Sequence, residues 1–483
     1  MGLDQGLRRL ALGTLLAAYP GPVPPDWAVD LLADGLAGHT LFGTNIHDPA
    51  QVAATTAALR AGRPDVLIAI DEEGGDVTRL AHATGSPYPG NAALGAVDDP
   101  TLTRQVYAAI GAELAALGIN LDLAPTVDVN TADENPVIGT RSFGADPVRV
   151  AVHSAAAVVG LQSVGVAACA KHFPGHGATV ADSHHELPTV DVPPAVLRER
   201  DLPPFAAVVD AGVRTVMTAH IRVPALTGDG PATFSRAVLV DLLRTEYGFT
   251  GAVITDALEM KGAALAAGGV GPAAVRALAA GADLLCIGAK VDAGLVEHVV
   301  EEIVAALADG RLDRARVEEA AGRAAELAAW TGAAGAAAET PDGLGYAAAL
   351  RAVRVEGDVT GLTAPLVVQV HATSTIAEGR VPWGLGPHLA GAEVVRAVAG
   401  ETDPDELRAL AGDRPVVLVG RHLHRLPGAR ELVDALAATH QVTVVEMGWP
   451  GGWRPAGARA FVTTYGASHA NGRAAAQVLG LAG

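Results

Sequence analysis

Residues 167–177 read AACAKHFPGHG, and this stretch decides how the chain is parsed. Its small apolar start suits a buried strand. The run then turns abruptly to Lys171, His172 and His176 among Pro174, Gly175 and Gly177, the residues of irregular backbone. An apolar strand that becomes polar at its C-terminal end fits a parallel barrel, where loops carrying ligand-binding groups leave one rim.

Working outward, seven further runs have the same character: 14–18, 39–42, 66–70, 120–124, 215–219, 252–255 and 283–287. Helical patterns lie between or after them, at 26–33, 102–117, 147–163, 196–211, 237–247, 272–280, 294–308 and 313–330. Eight strands alternating with helices over about 300 residues predict a (β/α)8 TIM barrel rather than an open sheet. The domain boundaries expected are 1–330 for the barrel, 331–345 for an Ala- and Gly-rich linker, and 346–483 for a smaller α/β sandwich of Rossmann-like form. Strand-like runs at 366–370, 416–419, 442–445 and 460–464 and a closing helix at 472–479 support the last. No glycine loop there has a strand–loop–helix setting that would cradle phosphate, so no nucleotide or other cofactor is expected.

Composition narrows the partners. The formal charge of −19 opposes nucleic acid and anionic membrane surfaces, both of which demand a basic face. Half of the residues are hydrophobic, enough for a large interior, yet no apolar run approaches the roughly 20 residues needed to span a bilayer. The two cysteines, Cys169 and Cys286, sit in apolar runs and read as buried small hydrophobes. Arg8, Arg9 and the apolar residues after them have the outline of a short signal peptide. No small-residue cleavage site follows, so the stretch is read as a helix end and first strand, and a cytoplasmic location is expected.

Ionisable residues gather where five predicted strands end. Strand 3 runs into Asp71, Glu72 and Glu73; strand 4 carries Asp122 and leads to Asp128; strand 5 ends in Lys171 and His172, strand 6 at His220 and strand 7 at Asp256. Lysine occurs only at positions 171, 261 and 290, so a lysine at a strand end suggests a compact ammonium aimed at a ligand. The plain alternatives are a strand-end ion pair for Lys171 and a helix-capping carboxylate for Asp256. After strand 5, His172, His176, Asp182, His184 and His185 fall within one loop. They could form a metal site, although HExxH spacing is missing, or an Asp182–His184 dyad for proton transfer. Spacing alone leaves both open.

Four motifs then show a resemblance. IDEEGGDVTRL (70–80), NPVIGTRSFG (135–144), KHFPGHG with DSHHELP (171–188) and GFTGAVITDALEMKG (248–262) occur in the order found in glycoside hydrolase family 3, in its bacterial β-N-acetylglucosaminidase branch. The resemblance covers the barrel and, more weakly, the ending AFVTTYGASHANGRAAAQVLG. It implies a retaining glycosidase acting on small GlcNAc-containing carbohydrates, with Asp256 as nucleophile and His184, polarised by Asp182, as acid/base. It further implies that Asp71, Arg79, Arg141, Lys171 and His172 hold the sugar and that no metal is required. Peptidoglycan-derived fragments and chito-oligosaccharides are the substrates implied. Phosphate could replace water as acceptor in a phosphorylase, and a non-catalytic sugar-binding protein is a third reading. Ala178, Ala257 and Thr44 depart from the family's usual acid, acid and arginine.

Overall fold

The computed structural model describes residues 4–288, 291–332 and 341–483. Contacts divide the chain into two compact units. The first comprises Met1–Glu72, Thr103–Val137 and Ala145–Thr340; the second comprises Glu73–Leu102, Ile138–Gly144 and Pro341–Gly483. The second unit thus includes two segments that precede residue 330, the first of which carries the helix Asn91–Val97. Of the expected linker, residues 333–340 lie outside the described residues, and its last residues already begin the helix Leu344–Ala352.

The first unit is the expected barrel. Its strands are β1 (Leu15–Ala17), β2 (Gly38–Leu41), β3 (Leu67–Ile70), β4 (Leu121–Asp122), β5 (Ala167–Phe173), β6 (Thr215–Thr218), β7 (Ala252–Thr255) and β8 (Leu285–Ile287). Neighbours pair in parallel from β8 through β1 to β7, and a parallel bridge from Ile254 to Leu284 closes the ring. Registers align Ala69 with Leu121 and Leu121 with Ala167, so side chains enter the interior in layers. Leu67, Ala69, Leu121, Leu123, Ala167, Cys169, Met217, Ala252, Ile254, Leu284 and Cys286 fill that interior. Ala324, Leu327 and Ala328, from the helix Arg314–Gly332, join the same core. Both cysteines are free and buried, as the apolar runs around them predict.

Strand alternation fixes what lies above this core. Two residues beyond Ala69, Cys169 and Ile254 stand Asp71, Lys171 and Asp256, which continue the inward-facing series at the C-terminal rim. One helical expectation is corrected. The pattern at 196–211 forms two helices, Pro194–Arg200 and Pro203–Asp210, because Pro203 and Pro204 supply no backbone N–H to continue the first and suit the first turn of the second.

The second unit is an α/β sandwich on a six-stranded sheet. Its strands are β9 (Arg354–Gly357), β10 (Leu366–Val370), β11 (Glu393–Ala397), β12 (Val416–Gly420), β13 (Val442–Glu446) and β14 (Ala460–Thr463). They lie in the order β11-β10-β12-β13-β14-β9, all parallel except β9. Alternate residues serve opposite faces. Val368, Leu418 and Val444 pack with Leu407, Leu432 and Leu436 of the helices Pro404–Ala411 and Ala429–Ala437. Val367, Val417, Val419 and Val445 pack with Ala475 of the helix His469–Val478. The sequence pattern identifies the four central strands and misses the edges. β9 is exposed throughout and β11 largely so, and a polar edge strand carries no apolar run to announce it.

Candidate active site

Three strand ends and one loop build the site in the barrel. At β5, Lys171 is 2% exposed, and its Nζ lies 2.7 Å from Asp71 Oδ1 at the end of β3. The lysine is therefore both a rim residue and half of an ion pair. Next to it, His172 Nδ1 is 2.7 Å from Asp128 Oδ2, and the His172 backbone N–H also donates to that carboxylate. Asp128 Oδ1 accepts the His176 N–H at 2.6 Å. Burial pushes the Asp128 carboxyl toward neutrality, but the His172 imidazole and these bonds outweigh it, and the carboxyl is held below its ordinary range. Gly177 has to be glycine for space, since a Cβ there would lie 2.0 Å from the Val129 carbonyl oxygen.

Asp256 stands one residue past β7, with Oδ1 accepting the Ala257 N–H at 2.8 Å. Burial favours its neutral form. His220, His172 and His184 act in the opposite direction and keep the carboxyl ionised below the ordinary range. His220 is itself fixed, with Nδ1 2.7 Å from Thr233 Oγ1 and Nε2 3.1 Å from the Ala257 carbonyl. Burial, followed by the charges of Glu259, Asp256 and Asp71, raises the Cys286 thiol well above its usual range, so those carboxyls act together on the barrel interior.

The loop after β5 pairs Asp182 with His184. His184 Nδ1 is 2.7 Å from Asp182 Oδ1, and the same oxygen accepts the His184 backbone N–H at 2.8 Å. With a carboxylate on Nδ1, that nitrogen carries the proton and Nε2 is left to exchange one. Burial would raise the Asp182 carboxyl, yet the His184 ring and backbone hold it down. Among the described residues, no group of three or more His, Cys, Asp or Glu side chains is disposed to hold a metal ion.

Arg79 and Arg141 belong to the second unit. Arg141 grips Glu73 in two-pronged fashion, with Nε–Oε2 at 3.0 Å and Nη2–Oε1 at 2.7 Å, both side chains nearly fully buried. Arg79 Nη2 donates to the Ala377 carbonyl at 2.9 Å. Within that unit Asp76 organises the neighbouring backbone, accepting from Thr140, Arg421 and the Ala467 N–H. Glu259 is a further acidic residue beside the site, outside the motif roles set out above. Burial raises its carboxyl, Asp256 and His184 are among the groups that act on it, and Oε2 has no hydrogen-bond partner among the described residues. Its signal was available in ITDALEM, three residues past Asp256.

The model of the glycosyl hydrolase family 3 N terminal domain matches residues 25–327, which carry all of these groups in the barrel. The chain belongs to glycosyl hydrolase family 3. Among its family relatives, a β-hexosaminidase A from Pseudoalteromonas piscicida is 34% identical over 63% of this chain, and the match spans 55% of that relative's own length. A β-hexosaminidase from Chromobacterium violaceum is 40% identical over 52% of this chain and 71% of its own. The solved family 3 β-N-acetylglucosaminidase from Paenibacillus sp. str. FPU-7 superposes with a TM-score of 0.88 at 34% identity, covering 98% of this chain and 96% of that one. The likeness to that structure extends over both units.

Proposed function

We propose that the protein is a retaining β-N-acetylhexosaminidase that releases terminal β-linked N-acetylglucosamine. The observation that carries this reading is the Asp182–His184 hydrogen bond beside an Asp256 carboxylate whose electrostatic neighbours include His184, in a family 3 barrel. Names of the relatives support the sugar: β-hexosaminidases and a β-N-acetylglucosaminidase.

In the first step an Asp256 oxygen attacks the anomeric carbon. The bond from that carbon to the leaving oxygen breaks, and the oxygen takes the proton held on His184 Nε2. In the second, His184 accepts a proton from water as the water oxygen attacks the same carbon and frees Asp256. Asp182 stabilises the imidazolium that forms and keeps the ring oriented. An ionised Asp256 also steadies the oxocarbenium-like charge that develops between the two states.

Lys171 and Asp71, paired at 2.7 Å, present one donor and one acceptor to sugar hydroxyls, and His172, whose Nδ1–H is committed to Asp128, adds Nε2 as a further hydrogen-bonding group. Arg79 and Arg141 complete the proposed sugar ligands by family resemblance. Peptidoglycan-derived fragments are the proposed substrate and the cytoplasm the proposed location. The phosphate-acceptor alternative draws no support from relatives named as hexosaminidases.

The test is the initial rate on an aryl β-N-acetylglucosaminide, with product analysis, in buffer without and with phosphate. Phosphate-independent release of free GlcNAc is expected. GlcNAc 1-phosphate as product would overturn the hydrolytic assignment, and no turnover would overturn the activity.

A further inference from the structure

His176 lies outside the roles assigned so far, yet its ring is fully engaged. Nδ1 is 2.7 Å from Thr179 Oγ1 and Nε2 is 3.1 Å from Ser183 Oγ. The Thr179 hydroxyl donates to the His176 carbonyl at 3.0 Å, so toward the ring it can only accept. Nδ1 therefore carries the proton, and Nε2 accepts the proton of the Ser183 hydroxyl. Burial, then the His172 charge, pushes the imidazole down to about 4, consistent with this neutral tautomer.

Ser183 is the residue between Asp182 and His184. The residue is buried, 2% exposed, whereas the side chains of Asp182 and His184 are 17% and 20% exposed. The middle residue of the triplet thus points into the protein while its neighbours stay open to solvent. A second tie fixes it, because the Ser183 carbonyl accepts the Gly262 N–H at 3.2 Å, in the helix Lys261–Ala267 that follows β7. Below, the His176 backbone is fastened to Asp128, the carboxylate that also orients His172. One chain of bonds runs from Asp128 through His176 to Ser183, and Pro174, Gly175 and Gly177 surround it in a segment that no helix or strand holds.

We infer that His176 is a positioning residue that latches the Asp182–His184 loop through the Ser183 hydroxyl, holding the imidazole where protons are exchanged. The inference rests on the proposed acid/base role of that dyad. An unlatched loop would sample other positions, and protonation of the leaving group would suffer while sugar binding would not.

The test compares Ser183→Ala, His176→Asn and His176→Gln. Asparagine reproduces the Nδ1 donor alone, whereas glutamine can reach Ser183 and restore the acceptor. Loss of the latch should speed hydrogen exchange of the amides of residues 182–186 by roughly tenfold, the scale of one hydrogen bond, in Ser183→Ala and His176→Asn, with His176→Gln close to wild type. On a disaccharide with a poor leaving group, kcat should fall about tenfold in the first two variants, with KM unchanged and little loss of kcat/KM on a dinitrophenyl glycoside. Unchanged exchange in Ser183→Ala, or equal rate losses on both substrates, would overturn the latch. His184→Ala serves as the separate control. If it shows no leaving-group dependence, the dyad reading fails, and the exchange data still decide whether the latch exists.

Discussion

The strand-end residues and the loop dyad are held by different means. Asp256, Lys171 and Asp71 continue the inward-facing series of β7, β5 and β3, so the barrel sets their directions. Asp182 and His184 have no strand beneath them and depend on one another, on a turn and on the buried Ser183 between them. The contrast teaches a division of labour. On the proposed roles, groups that keep a fixed charge under the sugar are built on the sheet, while the group proposed to give and take a proton sits on a loop.

Substitutions on the two sides of this contrast should differ in kind. Asp256→Ala should lower kcat by roughly 10^4-fold or more on every substrate with folding retained, the scale on which loss of a covalent nucleophile is felt. Retained turnover would break the comparison. In kcat/KM, which reports the first chemical step, His184→Ala should cost about 10^2–10^4-fold on substrates with poor leaving groups and little on dinitrophenyl glycosides, since only the former need general acid assistance. Equal losses would place the proton donor elsewhere. Lys171→Met should destabilise the barrel by about 2–3 kcal/mol in denaturant titrations, below the full cost of orphaning a buried charge because Asp71 keeps some solvent contact. No change would mean the pair is spent on ligand alone.

Asp128 sharpens the strand side through pH. Its folded-state carboxyl is held below the ordinary value near 4, so its contribution to stability is present above that pH and is lost as pH falls through the lower folded value. Asp128→Asn should flatten the acid limb of the stability curve below about pH 4, as read by thermal melts. An unaltered limb would show that the His172 and His176 bonds are not the source. Glu259→Gln should have the smallest effect, within about tenfold in kcat, because the proposed mechanism gives the proton transfer to the dyad rather than to this carboxyl. A loss as large as that of His184→Ala would transfer the role.

The same contrast explains what the sequence made legible. Barrel strands announce themselves because apolar runs end in charged residues, and period-two alternation then aims Asp71, Lys171 and Asp256 at one interior. Loop geometry carries no such rule. The spacing of Asp182 and His184 does not report their 2.7 Å contact, and the engagement of His176 by Thr179 and Ser183 has no signature beyond the KHFPGHG motif. Pro203 and Pro204 were visible in the sequence, but a continuous apolar pattern across them masked the break between helices. The edge strands β9 and β11 were missed because exposure removed the apolar signal. Segments 73–102 and 138–144 join the second unit through contacts distant in sequence, which no local pattern reports.

The central claim, that Asp256 forms a bond to the sugar, is tested most directly by trapping. The enzyme is incubated with a 5-fluoro N-acetylglucosaminyl fluoride, digested, and the labelled peptide sequenced by mass spectrometry. The account predicts a single glycosyl adduct on Asp256, with none on Glu259 or Asp71. An adduct on another carboxylate, or steady turnover of the reagent with no adduct accumulating at any point, would contradict it.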